Sequence, residues 1–245
     1  MTKENRPSML FVIRYGVLSI VLINLILVGF GAFLVPTALT ASKKGLSGLI
    51  ASLMILLVYA IVSVFGLKRT VAIHEKIPGY SLLFGTIIGF LYSVEIILEY
   101  IILPDNQLII NMGKIEFGLA FLLFSLSGLF MVLLSQKFLT AVLTTFWCSI
   151  IASLIWLCVV LIVFYLFFGT AQQHAVLTTE GDYDDFVRSG MTDFNAFIIQ
   201  DFWGAGFFHL LISPIIALIL GSLGGLAGLF FLWFYRLIRG FGLKH

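Results

Sequence analysis

Residues 80–104, YSLLFGTIIGFLYSVEIILEYIILP, decide the fold. As a helix the run is long enough to cross a bilayer core, which takes roughly 20 apolar residues. It nevertheless carries two acids, Glu95 and Glu99. An ionisable side chain at membrane depth is costly unless paired or wet, so both are candidate functional groups. Small residues recur at every fourth position, Ser81, Gly85, Gly89 and Ser93, making a shallow ridge that lets a neighbouring helix approach closely. At about 100° per residue, Glu99 falls in line with Ser81 and Glu95 a step further round. Both acids are expected to face other helices rather than lipid.

The rest of the chain extends the same pattern. Of 245 residues, 61% are hydrophobic and 11% charged, and the mean hydropathy is +1.14. A water-soluble domain carries about a quarter charged residues. Residues 15–42, 45–67, 77–94, 117–136, 138–179 and 202–235 contain no Asp, Glu, Lys or Arg. Backbone groups in lipid must bond within their own segment, which favours helices. The alternation that marks barrel strands is absent. The sequence therefore predicts an all-α polytopic membrane bundle forming a single transmembrane domain. Its six spans fall at about 15–39, 46–67, 80–103, 115–134, 138–168 and 203–235. The first span is read as uncleaved, since no small-residue cleavage site follows it.

Between the spans the polar stretches are short. Residues 68–79 read as a basic loop ending in the turn signal Pro78-Gly79, and Pro104-Asp105-Asn106 ends span three. Leu108-Ile109-Ile110 is expected to dip into the interface, and Ser213-Pro214 to kink span six. Residues 169–201 form the one substantial polar segment, an acidic extracytoplasmic loop. Within it, Asp182 and Asp185 read as a helix cap and a first-turn acid. They precede a short amphipathic helix lying aromatic side down on the membrane through Phe186, Phe194, Phe197, Ile198 and Phe202.

Loop charges orient the bundle. Lys and Arg number ten on the side of the two termini and four on the other, which places both termini in the cytoplasm of a plasma or inner membrane. The net charge of +2, without a basic aromatic patch, excludes a nucleic-acid partner. Cys148 and Cys158, about 15 Å apart by helical rise, cannot bridge each other.

In that orientation Glu99 lies roughly 6 Å and Glu95 roughly 12 Å below the outer end of span three. His209 in span six is at a similar level, with Glu116 and Asp201 close in depth. Glu95, Glu99, His209 and Glu116 therefore form the candidate ligand- or ion-binding set, suited to binding a cation or relaying protons. The E-x-x-x-E spacing is not a metal signature, because dinuclear helical sites also need E-x-x-H pairs. His209 is the one histidine inside a span, so paired axial haem ligands, and with them a haem cofactor, are not expected.

Gly85 and Gly89 in span three are expected packing positions, as are Gly221, Gly225 and Gly228 in span six, where Gly224 completes overlapping G-x-x-x-G pairs. The leading expectation is a transporter or permease for a cation, a proton or a small solute, without a cofactor. The alternative is a non-catalytic membrane subunit or scaffold, joined to itself or to a membrane partner through the glycines of span six. Gly45-Leu46-Ser47-Gly48 resembles the G-x-S-G string of rhomboid proteases, six-helix membrane proteins with a catalytic histidine on their sixth span, where His209 lies here. The resemblance covers those four residues and the histidine, and it implies an intramembrane serine protease. The chain departs from it in placing the serine at the start of span two. Ser127, in span four, lies about 10 Å deeper than His209 by helical rise.

Overall fold

A computed structural model describes residues 9–102 and 107–242 of the chain. Its elements in order are α1 (Met9–Leu34), a 3-10 turn (Pro36–Leu39), α2 (Lys43–Ile73), α3 (Ile77–Ile102), α4 (Gln107–Ser135), α5 (Phe138–Leu166), α6 (Ala171–Glu180), α7 (Asp182–Ser189) and α8 (Phe194–Gly242). No strand occurs among the described residues. Six of the helices, α1 to α5 and α8, are long and apolar enough to cross a membrane, and the chain is an all-α polytopic membrane bundle.

α5 is the central post. It is apolar all round, the pattern of a helix surrounded by others, and its small and polar residues Thr144, Thr145, Cys148, Ser149, Ala152 and Ser153 are all buried. The ridge of α3 packs along it. A Cβ on Gly85 would meet Ile151 and the Cys148 carbonyl, and one on Gly89 would meet Ile155 and Ala152. Ser81 Oγ donates to the Thr144 carbonyl at 3.1 Å. On the far side, Asn24 of α1 donates to the Leu154 carbonyl at 2.9 Å, and the Tyr165 hydroxyl donates to the Leu27 carbonyl at 2.8 Å.

α8 seats its glycines against α4 and α5 of the same chain. Gly221 faces Thr145, Gly224 the Ser125 carbonyl, Gly225 Ala141 and Phe138, and Gly228 Val132 and Leu129. With 49 residues, at about 1.5 Å per residue, this helix is far longer than a bilayer core requires.

Several boundaries differ from the sequence reading. α2 runs on through Lys68 and Arg69 to Ile73, leaving only residues 74–76 between it and α3. No helix breaker interrupts that stretch, and Thr70 accepts a hydrogen bond from Trp147 Nε1 at 3.0 Å, which ties the extension to α5. Pro78 lies in the first turn of α3, where its missing N–H costs nothing. The backbone of residues 108–110 is helical, within α4. α8 continues through Pro214 as one helix. Residues 104–106, expected to end span three, lie outside the described residues.

The polar segment folds more than expected. Thr170 caps α6 by accepting from Gln173 N at 3.2 Å, and Gly181, with φ of 88°, closes it. Gly181 also holds the position preceding α7, so Asp182 begins that helix rather than capping it. Phe194, Phe197, Ile198 and Phe202 belong to α8, not to the short helix. Tyr183 stacks on Phe194 at 4.2 Å between centroids, and Phe186 meets Phe194 edge-on at 5.2 Å. These aromatics cover one another and the bundle.

Candidate functional site

Acids from five helices meet around the end of α3 that bears Glu95 and Glu99. Glu95 turns towards α4, where its carboxylate covers Gly113 so closely that a Cβ there would collide with Oε1. Glu116, one turn along α4 and 6% exposed, lies within electrostatic reach of Glu95 and Glu99. Glu99 turns the other way, towards α6, where it lines one cavity with Glu180 and lies close enough to bond to it when one of the two is protonated. A carboxyl–carboxyl bond needs one proton, since two carboxylates offer only acceptors.

Outside the spans the acids carry large shifts. Burial, followed by the charges of Glu99 and Asp182, pushes Glu180 up to about 8. By surface area the residue is nonetheless solvent-exposed, and it lines a cavity of about 150 Å³ with Glu99, Tyr100 and Trp156. Burial and the charge of Asp201 push Asp182 up to about 6. Asp193 moves the other way, lowered chiefly by the Thr37 hydroxyl, which donates to it at 2.6 Å. Arg188 pairs with Asp185, and no Lys or Arg among the described residues pairs with Glu95, Glu99, Glu116 or Glu180. The cluster is thus without a basic countercharge among the described residues.

His209 stands apart from this cavity. Its ring stacks on Trp156 at 3.7 Å, meets Tyr92 edge-on at 5.9 Å, and lines a separate space of about 100 Å³ with Phe117, Phe121, Phe124 and Ser213. Trp156 borders the glutamate cavity as well, and so forms the wall between the two. Nε2 of His209 is buried without a hydrogen-bond partner, and Ser127 donates to the Phe124 carbonyl at 2.8 Å. Neither Ser47 nor Ser127 therefore engages that nitrogen, as a serine–histidine pair would require. Among the described residues no group of three or more His, Cys, Asp or Glu is arranged to hold a metal ion.

Of the sequence-derived candidates, the structure thus brings Glu95, Glu99 and Glu116 into one neighbourhood and leaves His209 behind Trp156. Glu180, Tyr100 and Trp156 were not singled out from the sequence. A signal for Glu180 was present. Thr170 and Gly181 bracket a helix of ten residues, whose last residue is returned to the bundle.

Compared with protein-family models, with curated proteins and with solved structures, the chain matches none.

The raised Glu180 has a consequence for stability. A carboxyl whose folded value lies above its ordinary 4.5 binds its proton more tightly in the folded state. Its contribution is fully present below about 4.5 and is lost as pH rises through about 8. Thermal unfolding of purified protein should show a midpoint that falls over this window. Glu180→Gln, which stays neutral throughout, should flatten the fall. An unchanged slope in the variant would count against the proton being held there.

Proposed function

We propose that the protein is a membrane carrier that exchanges protons for a cation or small solute at Glu99 and Glu180. One observation carries this reading: two carboxyl groups from different helices, Glu99 and Glu180, face each other across one cavity, with no basic partner among the described residues. Such a pair holds a proton at neutral pH and releases it when a positive ligand takes its place. Glu95 and Glu116 extend the acidic path towards α4. The loop-charge count favours both termini in the cytoplasm of a plasma or inner membrane, an orientation that would turn α6, α7 and the acid cluster outward. The glycines of α8 are engaged within the chain, which leaves the subunit-or-scaffold alternative without a specific observation in its favour.

The test is proton movement in liposomes. Purified protein is reconstituted with a pH-sensitive dye inside, and inward gradients of monovalent, divalent and organic cations are applied in turn. Exchange predicts dye alkalinisation with at least one cation, well above protein-free liposomes. Rates equal to protein-free liposomes for every cation would remove the proposal.

A further inference from the structure

A second cavity, of about 690 Å³, lies between the start of α2, the segment joining α7 to α8, and the first turns of α8. Drug-sized ligands occupy pockets of roughly 300–1,000 Å³. Its lining has two characters. Gln200 and Ser42 close one end, Gln200 accepting from the Ser42 hydroxyl at 2.5 Å and donating to the Ala38 carbonyl at 2.7 Å. Met191, Phe197 and Phe208 supply apolar wall, with Phe208 62% exposed on the open side. Asp201 is the one charged group among the described lining residues.

This cavity adjoins the glutamate cavity. Ala205 borders both, with Gly204 beside it on the large cavity and Gly206 beside it on the small one. Behind Asp201 stands Asp182, close enough to interact with it, and next to Asp182 stands Glu180. A line of carboxyl groups therefore leads from the open cavity towards Glu99.

We propose that the large cavity takes an organic cation with an apolar body, drawn to Asp201 and passed across Ala205 towards Glu99 and Glu180. The onward passage rests on the exchange reading; the binding at Asp201 does not. A metal ion is the poorer fit, because the lining holds a single carboxylate and hard cations take six or more oxygen ligands. An anionic or phosphate-headed lipid would bring its charge against Asp201 and the acids behind it. Phe197 and Phe208 suit a desolvated organic cation, which aromatic faces attract.

Two ions of the same shape and opposite charge test this: tetraphenylphosphonium and tetraphenylborate, in equilibrium binding to the full chain in nanodiscs. The expected result is saturable binding of the cation, about tenfold or more tighter than the anion, a gap of about 1.4 kcal/mol. Asp201→Asn should weaken cation binding several-fold, and should that variant fail to fold, Phe208→Ala on the exposed side should do the same. Adding tetraphenylphosphonium to the wild-type chain should also release protons. Equal affinity for the two ions, or cation binding indifferent to both Asp201→Asn and Phe208→Ala, overturns the inference even if liposomes exchange protons for other cations. Binding that depends on Asp201 without proton release in the wild-type chain upholds the cavity's ligand class and removes the onward passage towards Glu99 and Glu180 instead.

Discussion

Gly224→Leu is expected to abolish the folded, monodisperse protein. A Cβ at this position collides with the carbonyl oxygen of Ser125 on α4. The obstacle is backbone, so no rotamer change relieves it, and α8 must move away from α4. That displacement would also open the contacts of Gly221 with Thr145 and of Gly128 with the Gly221 carbonyl. Overpacking of a well-packed interior costs typically about 1–3 kcal/mol, and a branched side chain driven into a helix crossing belongs at or above the top of that range. Gly118→Ala makes the control. It lies mid-helix on α4 with nothing within 4 Å of the added Cβ, so it should stay within about 0.5 kcal/mol of wild type. Size-exclusion profile and thermal unfolding midpoint distinguish the two. A Gly224→Leu protein that stays folded but loses an oligomeric state would mean that the glycine ridge serves assembly.

The second large effect is on function. Glu99→Gln combined with Glu180→Gln should lower cation-driven proton movement in liposomes at least about tenfold, the usual scale for removing a positioned proton-transfer group. The shapes are preserved and an amide still donates a hydrogen bond, so folding should be retained. What disappears is a group that can give up a proton. His209→Gln should change the rate less than twofold, because Trp156 separates His209 from the glutamate cavity. Equal losses in the histidine and glutamate variants would point to a general packing defect, detectable as a lowered unfolding midpoint.

The sequence revealed architecture more readily than chemistry, for a physical reason. Crossing a membrane demands long apolar helices, so hydropathy alone located all six spans, and the four-residue spacing from Ser81 to Ser93 identified the face that α3 turns to α5. Helix ends were less legible. Nothing at Lys68 or Arg69 stops a helix, and the tie between Thr70 and Trp147 is a contact 77 residues apart. The neighbourhood of Glu95, Glu99 and Glu116 followed from depth along each helix. Rotation about the axis did not, so His209, at a similar predicted level, sits behind an indole that one-dimensional reasoning could not place. Glu180 was missed because the sequence reading placed a helix only after Asp182, whereas Thr170 and Gly181 fold the preceding residues into a helix that returns a carboxyl to the bundle.

The most direct test of the shared proton is infrared spectroscopy of protonated carboxyl groups in the purified protein, titrated across neutral pH. The account predicts a carboxylic acid band at pH 7 that is lost as pH passes about 8 and is missing from Glu180→Gln under the same conditions. A wild-type spectrum without that band at pH 7, or one that Glu180→Gln leaves unaltered, would contradict it.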